Sequence, residues 1–148
     1  MRISSLIVAA TVALSMTSSV ALAEGVSASA ASSGTPDTIG RATMDGLQQG
    51  KPEKALATFF GANSLANEKA PQMRALVDQI NSTISIYGPF GACELAQRKT
   101  FGTMVEKHFY VCQHDRYVTR WQLLFVKTNK GWTGGNITFD DRVQEQFD

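Results

Sequence analysis

Two periods divide this chain. Between Asp37 and Tyr87 apolar side chains recur every three or four positions, and from Ala92 onward they alternate with polar ones. The first spacing gathers apolar groups on one face of a helix, the second on one face of a strand. Ile39, Ala42, Thr43 and Leu47 share a first helical face, with Ser33, Thr35 or Asp37 as its cap, Pro36 in its first turn and Gly50 as its stop. Gly40 and Gly46 each weaken that helix by about 1 kcal/mol relative to Ala. Pro52 opens a second short helix with Ala55, Leu56, Phe59 and Phe60 on one side, and a loop follows Gly61. The longest helix is expected from Asn67 or Glu68 to Tyr87, with Asn67 as cap and Met73, Leu76, Val77, Ile80, Ile84 and Tyr87 as its stripe. Gly88-Pro89 stops it, and the β-branched run after Asn81 is expected to fray its last turn or turn it to strand.

The alternating half predicts four strands, at residues 92–101, 104–113, 118–127 and 132–139. Gly102-Thr103, Asp115-Arg116 and the stretch Thr128 to Gly131 supply the turns, and Gly134-Gly135 is expected to bend or bulge the last strand. Residues after Asp140 fray or form a helical stub. The order of elements predicts an α+β fold with N-terminal helices packed on an antiparallel four-stranded meander.

If Phe101 faces Met104 across the first turn, the same register sets Cys93 opposite Cys112. A disulfide there closes a loop of about 20 residues and contributes roughly 3 kcal/mol. There is no C-x-x-C to suggest redox catalysis. One face of the hairpins then collects Cys93, Leu95, Gln97, Glu106, His108, Tyr110 and Cys112, joined by Trp121, Leu123 and Phe125. The other carries Glu94, Arg98, Lys107, Arg120 and Gln122 among Val111, Leu124 and Val126. The aromatic-rich face is assigned to the core.

The start of the chain changes the setting. Arg2, the apolar run from Leu6 to Leu14 and the Ala21-Leu22-Ala23 site read as a secretory signal peptide over residues 1–23. The competing reading is a retained anchor, which the short apolar run disfavours. Residues 24–36 are Ser, Ala and Gly with almost no large apolar side chain, and read as a flexible linker before a single domain at 37–148. A periplasmic or secreted location follows, where cysteines pair. The chain has 14 Lys and Arg against 13 Asp and Glu, and cleavage removes Arg2 alone, leaving 13 of each. Such neutrality argues against nucleic acid as a partner and against a membrane-surface protein once the leader is cleaved.

Helices followed by a meander that ends in Trp121 to Phe125, Lys130-Gly131-Trp132 and Phe139-Asp140-Asp141 resembles the nuclear transport factor 2-like superfamily, the cystatin-like α+β roll. Nearest in likeness are small exported bacterial proteins of unknown function. The resemblance covers roughly Asp37 to Asp141. It implies a curved sheet, a cone-shaped roll and a pocket under the long helix, but no particular reaction. Ketosteroid isomerases and polyketide cyclases of that superfamily use an acidic or His–Asp pair inside the pocket.

Candidate chemistry is sparse. Glu106 and His108 are two apart on one strand and share a face, as a general base and its tuning carboxylate would. The plainer alternative, a sheet-edge pair bound to Lys99, Gln97 or solvent, is favoured. Tyr87, Tyr110, Trp121 and Phe125 form a candidate ligand cage, though such an aromatic set is more often core. His114-Asp115 is read as turn chemistry, and Asp140, Asp141 and Glu145 as a solvated chain end. The spacing shows no metal site, phosphate loop or cofactor motif. The expected function is an exported, non-enzymatic domain that binds a small apolar ligand or a partner protein, and a homodimer is compatible with the sequence. The alternative is a pocket enzyme of ketosteroid-isomerase or polyketide-cyclase type using His108 and Glu106.

Overall fold

The computed structural model describes residues 34–61 and 63–147. The expected signal peptide lies outside the described residues. So does the linker, except for its last three residues, of which Thr35 caps the first helix and Pro36 opens it. Helix α1 spans Pro36–Gln48, α2 Pro52–Phe60 and α3 Ala70–Tyr87. Strands β1 (Phe90–Phe101), β2 (Val105–His114), β3 (Val118–Thr128) and β4 (Gly131–Asp140) follow in one curved, unclosed antiparallel sheet of order β1-β2-β3-β4. The chain is α+β, with its helices N-terminal to its strands.

The local signals act as their chemistry requires. Thr35 caps α1, its hydroxyl accepting from the backbone N–H of Thr38. Pro36 and Pro52 sit in first turns, where a missing N–H costs nothing. Helix α3 departs from expectation at both ends. Asn67–Lys69 form a separate 3-10 turn and α3 starts at Ala70 with no side-chain cap, because Pro71 belongs in a first turn. The end after Asn81 stays helical: Ile80 and Thr83 are buried, and the Thr83 hydroxyl donates to the Gln79 carbonyl at 3.0 Å.

Cys93 and Cys112 are bonded and directly opposed, though the first hairpin reaches that register by two offsetting steps. Its turn holds three residues, with Phe101 facing Val105. A bulge between Leu95 and Gln97 then restores the pairing of Leu95 with Tyr110 and Cys93 with Cys112. Between turn and bulge the faces are exchanged relative to expectation. Arg98 pairs with His108 and shares its inner face, where it forms an ion pair with Asp37 of α1. Gln97 pairs with Phe109 on the outer face, so the inner placement of Gln97 is corrected. Tyr110 faces Trp121, His108 faces Leu123 and Glu106 faces Phe125, and Gly135 sits in a bulge of β4.

The core lies between the inner face of the sheet and the helices. Trp121, Leu123 and Phe125 are fully enclosed with Leu47, Leu56, Phe59 and Ile80. Gly40 lets α1 lie flat on the sheet, since a Cβ there would stand 2.6 Å from Tyr110 Oη. Gly134 does the same for α2 on β4, a Cβ meeting the Phe59 ring and carbonyl at 2.5 Å. The two helices are thereby seated on the sheet at backbone contact distance.

Candidate functional site

The inner face of the sheet is closed. Trp121 stacks on Phe139 with ring centroids 4.2 Å apart, and its Nε1 donates to Thr119 Oγ1 at 2.9 Å. Phe125 meets Phe59 edge-on at 5.3 Å. Tyr110 is buried against Gly40, and desolvation, with Asp37 nearby, pushes its phenol up to about 12. Tyr87 stands apart from these three, half-buried at the far end of α3, where its hydroxyl donates to Asp141 at 2.5 Å. That bond raises the Tyr87 pKa above its ordinary value. The four cage candidates therefore do not converge on one space.

The histidines belong to the frame as well. His108 Nε2 lies 2.6 Å from Glu106 Oε1, so the pair does meet as their spacing predicts. Its ring has no exposed surface and is walled by Phe125 and Tyr110, with centroids 4.9 Å and 6.1 Å away. Nδ1 is buried with no hydrogen-bond partner. A general base must reach the proton it takes, and this ring has no exposed surface and lines neither of the two hollows described below. His114 is fully satisfied: Nδ1 bonds the Gly88 carbonyl and Nε2 the Thr119 hydroxyl, each at 2.9 Å. The Gly88 carbonyl can only accept, so Nδ1 is the donor in that bond, while the Thr119 hydroxyl also accepts from Trp121 Nε1. This network ties the end of α3 to β2 and β3, a structural role beyond turn chemistry.

The acidic chain end is likewise occupied. Asp140 accepts from Arg120 at 2.6 Å and from the backbone of Arg142, while Glu145 reaches Arg120 and Arg142. Burial opposes ionisation of Asp140, but the Arg120 guanidinium and the Arg142 N–H hold its carboxyl below the usual range. Arg120, expected among exposed outer-face groups, is 7% exposed. Among the described residues no three His, Cys, Asp or Glu side chains gather as metal ligands would.

The open space lies along α3, away from the aromatic cluster. A hollow of about 890 Å³ separates α2 from the first half of α3. Leu56, Ala57 and Phe60 line it from α2, and Met73 and Val77 from α3; Arg74, Asp78, Glu53 and Lys130 ring it. A second hollow of about 350 Å³ lies between α3 and β4, lined by Leu76, Leu65 and Ile137, and the two share Phe60, Asn63, Ala66 and Met73. Met73, Leu76 and Val77 are only half-buried, in contrast to enclosed Ile80 one turn on. A hollow of this size is right for one small organic molecule, and its lining offers apolar contact with polar groups at the edge.

None of these lining residues was singled out as a site by the sequence pattern, although Met73 and Val77 were placed on the α3 stripe. The available signal was the polar and small stretch from Gly61 to Ala70, which gives α3 nothing bulky to close against α2. No protein-family model, curated protein or solved structure matches this chain.

Proposed function

We propose that this domain is an exported binding module that takes a small, largely apolar molecule into the hollow between α2 and α3. One observation carries the reading: a hollow of about 890 Å³ is walled by Leu56, Phe60, Met73 and Val77. The aromatic inner face of the sheet, by contrast, is filled. The mixed charges at the rim suit an uncharged or zwitterionic ligand better than a strong acid or base. The disulfide is compatible with export, as is the absence of a membrane-crossing helix among the described residues. We assign the fold to the nuclear transport factor 2-like roll on its element order, an assignment that carries no reaction with it. The enzyme reading has only the close His108–Glu106 pair in its favour, and the enclosure of that ring counts against it.

Native mass spectrometry of protein secreted by its host tests the proposal. The expected result is a chain beginning at Glu24 with a bound apolar adduct. Val77→Trp, which sets an indole into the hollow against Phe60 and Met73, should lose the adduct while keeping its far-ultraviolet circular dichroism. An adduct retained in Val77→Trp, or a wild-type chain that takes up no apolar probe at one-to-one stoichiometry, refutes it.

A further inference from the structure

The sequence is neutral overall, but the fold does not spread its charges evenly. In a β1-β2-β3-β4 meander the β1–β2 and β3–β4 turns lie at the same end of the sheet. That end exposes two apolar side chains, Phe101 at 83% and Met104 at 65%. Lys99, Lys107, Lys127 and Lys130 surround them in sequence and register, and the Met104 carbonyl accepts from the Lys127 backbone at 2.8 Å. Two nearby carboxylates are committed on the inner face, Glu106 to His108 and Asp37 to Arg98, while Glu53 and Asp78 share the rim of the hollow with Lys130 alone of the four lysines. Asp115, Asp140, Asp141 and Glu145 belong to the opposite end.

One pairing stands out. Lys99 faces Lys107 directly across β1 and β2, and both ammonium groups gather over the Phe109 ring, 5.2 Å and 5.9 Å from its centroid. Like charges opposed on a sheet repel, and the ring only partly offsets this. An anion placed between them would relieve it.

We propose that this end of the sheet docks on an anionic lipid bilayer, with Phe101 and Met104 entering the headgroup layer and the four lysines meeting its phosphates. The shape favours a bilayer over other polyanions. The apolar groups stand on a projecting hairpin tip, not in a groove that would hold a nucleic acid strand. A tip of this size is too small to bury the roughly 1,000 Å² that a stable protein partner requires. Apolar side chains flanked by lysines match the boundary between acyl chains and phosphates. No described helix crosses a membrane, so the association is peripheral and reversible. The proposal does not depend on the hollow between α2 and α3.

Flotation of the purified mature chain with phosphatidylcholine vesicles, with and without one-third phosphatidylglycerol, tests it. Binding should need the anionic lipid and should fall away between about 0.02 M and about 0.5 M salt. Each lysine near such a surface is worth about five-fold in partitioning, so Lys99→Gln with Lys107→Gln should weaken binding about 25-fold. Those changes remove a repulsion, so the melting temperature should hold or rise. Phe101→Ser with Met104→Ser should cost about ten-fold or more, and Lys54→Gln on α2 should change nothing. Equal binding to neutral and anionic vesicles overturns the proposal. So does undiminished binding by the Lys99/Lys107 double variant. Displacement from the vesicles by duplex DNA at matched charge would also overturn it, marking the end as a general polyanion site.

Discussion

Truncating two apolar side chains should separate the core from the hollow, because Trp121 and Met73 stand in opposite surroundings. Trp121 has no exposed surface, stacks on Phe139 and lies 5.5 Å from Phe90. An aromatic side chain buries about 150–250 Å². At about 25 cal/mol per Å² that burial is worth about 4–6 kcal/mol. Alanine keeps the Cβ, and Thr119 keeps its bond to His114, so Trp121→Ala should cost about 3–5 kcal/mol, the usual range for emptied aromatic sites. A domain of this size has about 5–15 kcal/mol in total, so the variant should fold but melt far lower; Trp121→Phe gives a milder point if it does not. Met73 borders both hollows and is only half-buried. Its truncation enlarges space already open to water and should cost under about 1 kcal/mol of stability. It should nevertheless weaken uptake of an apolar ligand by about ten-fold, the value of one or two methylene-sized contacts. Urea unfolding followed by far-ultraviolet circular dichroism gives the first quantity, and titration with an apolar fluorescent probe the second. A loss of 2 kcal/mol or more in Met73→Ala would show that α3 closes a core there and that the hollow is not a site. A loss under about 1 kcal/mol in Trp121→Ala would refute the assignment of the inner face.

Two further outcomes follow from the frame. Replacing Cys93 and Cys112 together by Ser should lower unfolding stability by roughly 3 kcal/mol, read as a reduced urea midpoint; no change would mean that the crosslink does not restrain the unfolded chain. Tyr110, with its phenol held near 12 in the fold and near 10 unfolded, contributes stability that is complete below pH 10. That contribution, about 2–3 kcal/mol, should drain away between pH 10 and 12, and Tyr110→Phe should remove this alkaline phase from the stability profile. An alkaline phase unchanged in Tyr110→Phe would contradict the burial of that hydroxyl.

The sequence conveyed elements far better than it conveyed space. Caps, prolines and glycines act within a few residues, so α1, α2 and the two-residue turn at Asp115-Arg116 were legible. Register is harder, because one extra residue exchanges every face beyond it. A third residue in the first turn did this to Gln97 and Arg98, and the bulge at Ala96 undid it before the cysteines. The disulfide was therefore foreseen correctly from a turn that was one residue too short. Periodicity also shows which side of a helix is apolar without showing whether anything covers it. The α3 stripe from Met73 to Tyr87 reads as uniform core, yet only its Ile80 is fully enclosed. The hollow is the gap left when a helix with a correct apolar face is set down at some distance from its neighbour.

How α3 is held explains why that gap sits at its first half. At its C-terminal end the helix is fixed from several directions. The Tyr87 carbonyl accepts from the backbone of Arg116, and the Ile86 carbonyl from the Arg116 guanidinium. The Tyr87 hydroxyl reaches Asp141, and His114 holds the Gly88 carbonyl just beyond. At its N-terminal end there is no side-chain cap, only a single 3-10 turn and a connection that Asn63 pins to the Gly134 carbonyl at 3.0 Å. Local opening follows the weaker anchorage, so residues 70–77 are the part of the helix that yields first. Those residues carry Met73 and Val77, whereas Ile80 and Ile84 keep the remainder on the core. Under the proposed binding role the ligand contacts on α3 fall on this less anchored half, away from the disulfide and the His114 network. The same amphipathic stripe thus divides into a half-buried part at Met73 and Val77, where the proposed ligand would sit, and an enclosed part at Ile80 that holds the core, a division that a single period in the sequence conceals.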